Sequence, residues 1–342
     1  MFLVYLIAVI LALYGVRIYR KDYEGNRFDI KITHSINGIF IILVFCRHIF
    51  QYINPVYTKL NLLDHLGSII DGHLYQLLVV PFLFFSAYGL TISAERNRGG
   101  YVNNIPRHRC LTVLLNFMLA VCCFAILQLI LGNNYNLEEF LLSLICWDSL
   151  GNSNWYIFCI LWCYFFSYIG YKVSRGNSKY HLAFVWILSL LYIAILHSFK
   201  GSWWYDTVLA YPTGVTFTIY KDKIINYIKS RCMISIISSL ALFIASYICL
   251  RHHYNVYVSN VTSIMMCMLI IALMIKVRIQ NKYLEWMGKN LFPLYIYMRI
   301  PMILFSKDKD FIVNYEWLYI TLCIAITLVF GYTYRFYQIK IK

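Results

Sequence analysis

Along almost the whole chain, apolar runs alternate with short polar stretches. A helix needs about 20 mostly apolar residues to cross a hydrocarbon layer. Eleven runs approach that length: 2–17, 36–54, 74–93, 111–131, 155–172, 182–198, 203–220, 233–250, 258–275, 291–306 and 317–334. Pro81, Pro212 and Pro301 fall inside runs, where neighbouring helices can accommodate them. The longest polar stretches are 17–35, 95–110 and 133–154, and no internal repeat or long hydrophilic insert breaks the series. The pattern predicts an all-α integral membrane protein. Its expected form is a polytopic bundle of about 11 transmembrane helices, one domain over residues 1–342.

Composition removes the alternatives. Hydrophobic residues make up 61% of the 342 and charged residues 13%, whereas an ordinary soluble domain carries about 25% charge. A chain this apolar cannot build a polar exterior around its own core, so a soluble fold and a disordered chain are both excluded. The 30 Lys and Arg exceed the 15 Asp and Glu, and the excess is sorted along the chain. Twenty-three basic residues, from Arg17 to Lys342, fall in alternate loops and the tail. Five, Lys59, Lys200, Arg251, Lys307 and Lys309, fall in the other loops. Cytoplasmic loops hold the Lys and Arg, so the N-terminus is expected outside and the C-terminus in the cytoplasm. The basic excess therefore reflects topology and not nucleic-acid binding. With no basic leader region or small-residue cleavage site, Met1–Gly15 reads as a retained span and not a signal peptide. The eleven Cys lie mostly inside apolar runs, without CxxC or Cys/His spacing, and read as packing residues; no metal site is expected.

Ionisable groups inside a span are costly and suggest function. The second run contains adjacent Arg47 and His48. His48 lies about 18 Å from Ile36 at 1.5 Å per residue, past the midplane towards the outer side, while the other eight histidines fall in loops or at span ends. His48 reads either as a reactive imidazole or as an inert one bonded to a neighbouring helix. Arg299, in the tenth run, reads either as a snorkelling side chain or as a fixed cation in a cavity. Asn152-Ser-Asn-Trp-Tyr156 gathers polar groups at the outer start of the fifth run, as a capped and anchored helix start or as part of a site. Arg96, Arg107 and Arg109 crowd one inner loop with Gly99-Gly100. Headgroup contacts explain them, and so does an anion site. The paired tryptophans of Trp203-Trp204-Tyr205 read as an interface belt.

The run from Ile36 to His48 resembles the first signature of the acyltransferase 3 family, multi-span membrane O-acyltransferases of bacterial surface glycans. Further likenesses follow in order: Val80–Leu90 with its Ser-Ala-Tyr-Gly turn, Pro106-Arg-His-Arg109, Asn154-Trp-Tyr-Ile157, and the late Gly288–Tyr297 element. The family-like core spans 30–335, with residues 1–20 an added N-terminal span. The basic residue of the first signature falls at Asn37, so Arg47 is the cation available to replace it; the late element has Arg299 where a His is usual.

The resemblance implies transfer of an acyl group, most often acetyl, from acyl-CoA to a sugar hydroxyl, with no permanently bound cofactor and with membrane lipid as surroundings. It implies a bacterial cytoplasmic membrane as the location. His48, with Arg47 and Asn37, would form the catalytic set, the imidazole serving as general base or accepting the acyl group itself. Arg96, Arg107 and Arg109 would hold the CoA phosphates. Asn154, Trp155, Tyr156, Tyr88 and Arg299 would bind the acceptor, a cell-surface or lipid-linked glycan. The rival class is a transporter, flippase or polymerase for a lipid-linked glycan. A polymerase calls for a large outer loop, and a coupled transporter for paired acids within its spans and inverted repeats; the chain shows neither. Oligomeric state is left open.

Overall fold

The apolar runs fold as helices. The structure, a computed structural model, describes residues 2–19, 27–56 and 62–341. Arg20, Lys21, Lys59 and Lys342 of the charge pattern lie outside the described residues. In chain order the helices are α1 (Phe2–Leu13), α2 (Ile30–Ile53), α3 (Leu62–Leu74), α4 (Val80–Arg96), α5 (Arg98–Ile105), α6 (Thr112–Ile130), α7 (Leu137–Leu144), α8 (Trp155–Val173) and α9 (Ser178–Leu196). There follow α10 (Ala210–Ile219), α11 (Lys221–Ser230), α12 (Cys232–His252), α13 (Val256–Leu273), α14 (Lys282–Lys289), α15 (Leu291–Tyr297), α16 (Arg299–Ser306), α17 (Lys309–Asn314) and α18 (Glu316–Tyr337). A short antiparallel ribbon, β1 (Val16–Ile18) with β2 (Val277–Ile279), ties the chain after α1 to the chain before α14.

Among the described residues, eight helical segments are long and apolar enough to cross a membrane. They comprise α2, α4, the continuous rod of α5 and α6, α8, α9, α12, α13 and α18. The architecture is that of an all-α integral membrane protein. Three expected spans are shorter. Helix α1 has 12 residues and α10 has 10, because residues 205–209 form turns before it. The run 291–306 is split at Met298 into α15 and α16. Pro301 accounts for the break: it has no N–H to offer the Tyr297 carbonyl four residues back.

Helix α4 is the most enclosed span and α12 the most exposed. The placement of α2 matters most for the site. Asp29 caps it, accepting from the Lys31 backbone N–H at 2.8 Å. Its flank against α14 is made by two glycines. A Cβ on Gly38 would collide with the Leu284 carbonyl, and one on Gly288 with the His34 carbonyl. Small residues let the two backbones touch, as in close helix crossings within membranes. Pro106 sits where α5 passes into α6 through a wider π-helical turn over Pro106–Leu111, a local rearrangement that frequently marks functional positions.

Candidate active site

The end of α2, the start of α8, the turns after α9 and the α15–α16 break meet around one cavity of about 580 Å³. Its wall includes Arg47, His48, Gln51, Gln76, Asp148, Ser153, Asn154, Trp155, Lys200, Tyr295 and Arg299. The cations Arg47, Lys200 and Arg299 face a single acid, Asp148, so the cavity favours a ligand that carries or develops negative charge.

His48 is held from both sides. Its Nδ1 lies 3.3 Å from Gln51 Oε1 and its Nε2 lies 3.4 Å from Ser153 Oγ. An amide oxygen can only accept, so pairing with Gln51 puts the imidazole proton on Nδ1. Nε2 then carries the lone pair and points to the Ser153 side of the cavity. That arrangement suits proton abstraction from a hydroxyl.

Arg299, first residue of α16, donates from Nε and Nη2 to the Tyr52 hydroxyl at 3.1 and 2.9 Å. The helix break brings it to the cavity wall, and Tyr52, one turn past His48, fixes its fork. The Tyr295 hydroxyl faces Ser153 without a well-formed hydrogen bond to it. Lys200 is clamped between two indoles, 4.0 Å from the Trp147 ring centre and 4.7 Å from that of Trp204. Its Nζ also donates to the Trp147 carbonyl at 2.7 Å. Burial lowers the Lys200 ammonium below the usual lysine value, with Asp148 acting against it.

The loop entering α8 is braced from within. Asn154 Nδ2 donates to the carbonyls of Cys146 and Asp148 at 2.9 and 2.8 Å. Ser149 Oγ donates to the Asn152 carbonyl at 2.6 Å. Asn154 therefore shapes the wall and spends its amide protons on the loop, and its side chain does not cap α8.

Of the residues singled out from sequence, the structure brings together Arg47, His48, Asn154, Trp155 and Arg299. Three others do not join them. Asn37 is buried eleven residues before His48, about 16 Å along the helix, so the expected catalytic grouping of Asn37 with His48 is corrected. Tyr156 is turned behind the cavity, edge-on to Phe82 at 6.0 Å and to Tyr295 at 5.1 Å. It packs behind Tyr295, which lines the cavity. Tyr88 lies at the opposite end of the bundle, accepting from Lys221 Nζ at 2.7 Å, so its expected place in the acceptor site is also corrected.

At that opposite end the arginines separate. Arg109, on the π-helical turn, folds inward and donates from Nε to the Tyr101 hydroxyl at 3.0 Å. Arg96 and Arg107 are exposed. None of the three lines the His48 cavity. Burial pulls the nearby Lys221 ammonium down, against the field of Asp222.

Residues missed from sequence are Gln51, Tyr52, Gln76, Asp148, Lys200 and Tyr295. Ser153 belongs to the polar turn 152–156 singled out from sequence, and the structure places it on the cavity wall. Trp203 and Trp204, expected in an interface belt, also line the cavity. His181, expected among the peripheral histidines, is fully buried and stacks on Tyr171 with ring centres 3.6 Å apart.

A family model described as an acyltransferase domain matches residues 34–335. All five ordered likenesses fall inside the match. No curated protein and no solved structure matches the chain.

Proposed function

The chain belongs to the acyltransferase 3 family and is a membrane acyltransferase. On that premise we propose that it moves an acyl group, acetyl first among them, from acyl-CoA to a hydroxyl of a cell-surface or lipid-linked glycan. We also propose the full topology: eleven spans in one domain of a bacterial cytoplasmic membrane, N-terminus outside and C-terminus inside. The sorting of Lys and Arg into alternate loops supports it. The short α1, α10 and α15–α16 then cross with help from their neighbours.

In this topology the His48 cavity opens outward, where the glycan is, and the arginine end faces the cytoplasm, where the donor is. Arg109 and Arg107, with Arg96, hold the CoA phosphates through charge-assisted bonds. The acylated pantetheine arm reaches the cavity between helices, past the packed rings of Tyr156 and Tyr295. His48 Nε2 takes the proton from the acceptor hydroxyl as its oxygen bonds to the thioester carbonyl carbon. The carbonyl oxygen gains negative charge, which Arg299 and the Tyr295 hydroxyl stabilise. The carbon–sulfur bond then breaks, and the departing thiolate takes the proton from the imidazolium. Trp155 and Trp203 offer planar faces to the sugar, and Arg47 supplies a second cation.

The observation that carries this reading is His48 at the wall of a polar, cationic cavity, its Nε2 3.4 Å from Ser153 Oγ. The test compares surface glycans by mass spectrometry in cells with and without the protein. Loss of one acetyl mass per glycan repeat supports the reading. Unchanged glycan acylation, with the protein present in the membrane of the parent cells, overturns it.

A further inference from the structure

A second cavity, of about 380 Å³, adjoins the first. The two share Arg47, Gln76 and Trp203 in their walls, so they meet across these side chains. Both volumes lie within the range of ligand sites, about 300–1,000 Å³. Nothing in the acyl-transfer chemistry above uses the second one.

Its distinctive group is Asp206. This carboxylate is 4% exposed, yet Oδ1 has no hydrogen-bond partner among the described residues. Oδ2 receives one long bond, 3.4 Å from the Tyr254 hydroxyl. A buried carboxylate normally gathers several donors, because an oxygen stripped of water and left bare is costly. The position is also held firmly. The Asp206 N–H donates to the Ser202 carbonyl at 2.9 Å. Asn260 of α13 clamps the turn on both sides, donating to the Tyr205 carbonyl at 3.0 Å and accepting from the Leu209 N–H at 3.0 Å. The bare oxygen is therefore fixed by the surrounding structure.

The other wall groups indicate what would satisfy it. Trp203 presents a half-exposed indole, Ser202, Tyr254 and Ser259 add hydroxyls, and Arg47 and Arg251 line the same cavity as hydrogen-bond donors, Arg251 also donating to the Gly72 carbonyl at 3.0 Å. A planar aromatic face beside an acceptor-only carboxylate and neutral hydroxyls matches a sugar ring, with C–H groups on one face and O–H groups at its edge.

We propose that this cavity is a second saccharide subsite. It holds the sugar next to the one being acylated, through a hydroxyl donated to Asp206 Oδ1 and stacking on Trp203. The inference rests on the acyltransferase reading and deepens it: the acceptor is an oligomer or polymer, read over at least two sugars, and not a free monosaccharide.

The test uses the full chain purified in detergent and the host's own surface polysaccharide. The polysaccharide is de-esterified with mild base and cleaved into single sugars and longer fragments. Binding is followed by tryptophan fluorescence. The expected result is at least tenfold tighter binding of fragments of two or more sugars than of single sugars. Asp206→Asn brings that margin below twofold. Tyr254→Phe, which removes one exposed hydroxyl and leaves the buried turn intact, reduces it part-way and serves if the Asn variant fails to fold. A wild-type protein with no length margin, or a folded Asp206→Asn protein that keeps it, overturns the proposal. Thiol release from acetyl-CoA is measured on the same samples with the fragments added. A wild-type protein that shows the margin but releases no thiol contradicts the acyltransferase reading and leaves the subsite standing.

Discussion

His48 Nε2 stands 3.4 Å from Ser153 Oγ, across the junction between the end of α2 and the start of α8. The two residues are 105 positions apart in the chain. Their approach marks where an acceptor hydroxyl would enter, since a substrate oxygen placed near Ser153 would address the same lone pair.

Replacing His48 is expected to abolish transfer while the protein remains in the membrane. Loss of a positioned base costs about 10²–10⁴ in rate. His48→Gln keeps a polar side chain able to bond Ser153 and so separates structure from chemistry. The measurement is acyl content of the glycan at matched protein level. Substantial activity in the Gln variant would return His48 to a structural role.

Ser153→Ala should have a milder effect. If the hydroxyl only orients the imidazole, its removal costs on the order of 1 kcal/mol, about fivefold in kcat. KM for acyl-CoA should stay constant. A loss as deep as that of His48→Gln would make Ser153 itself the acylated group.

Arg299 and Tyr52 can be told apart by their partners. Arg299→Ala removes a cation from the place where oxyanion charge develops and should lower kcat by about 10²–10³. Tyr52→Phe frees the fork but leaves the charge, so its loss should be smaller. Equal losses in steady-state kinetics would mean that the hydrogen bonds, not the charge, matter.

The site was legible in the sequence where a residue type was out of place. Arg47, His48 and Arg299 stood inside apolar runs, and the crowding of Asn154 and Trp155 marked the start of α8. Gln51 and Lys200 were not legible, because a polar residue near a span end is ordinary. Only the folded loop shows Lys200 trapped between Trp147 and Trp204. Periodicity also says little about how a helix is rotated, which is why Tyr156 was expected in the cavity and is found behind it. The eight long helices followed from run length alone. The shortness of α10 did not, because the turns at 205–209 interrupt a run that is apolar overall, and Asp206 and Thr207 within it were not read as a break.

The crossing of α2 and α14 should tolerate no added methyl. Gly38→Ala or Gly288→Ala pushes a Cβ into backbone that cannot rotate away. Overpacking of this kind costs about 1–3 kcal/mol, occasionally more. A fall in the thermal midpoint of the purified protein, with lower activity as α2 shifts, is the expected outcome. Unchanged midpoints in both variants would show that the helices can separate freely.

On the cytoplasmic end of the proposed topology, Arg107→Ala with Arg109→Ala should raise KM for acyl-CoA, because charge-assisted phosphate contacts are lost. Since Arg109 also bonds Tyr101, Tyr101→Phe should raise KM less. If donor binding is unchanged and only membrane insertion suffers, these arginines serve topology alone.

The packing of Tyr156 behind Tyr295 at the cavity wall bears on the energy economy of the membrane. A passage wide enough for an acylated thiol arm would also admit water and protons. Across a potential of about 100 mV, each elementary charge that leaks dissipates about 2.3 kcal/mol. In the proposed reaction, two rings packed edge to face, 5.1 Å apart between centres, would have to part around the arm and close behind it. Leakage would then be confined to the brief interval of each turnover, and a cell would acylate its exterior without discharging its voltage.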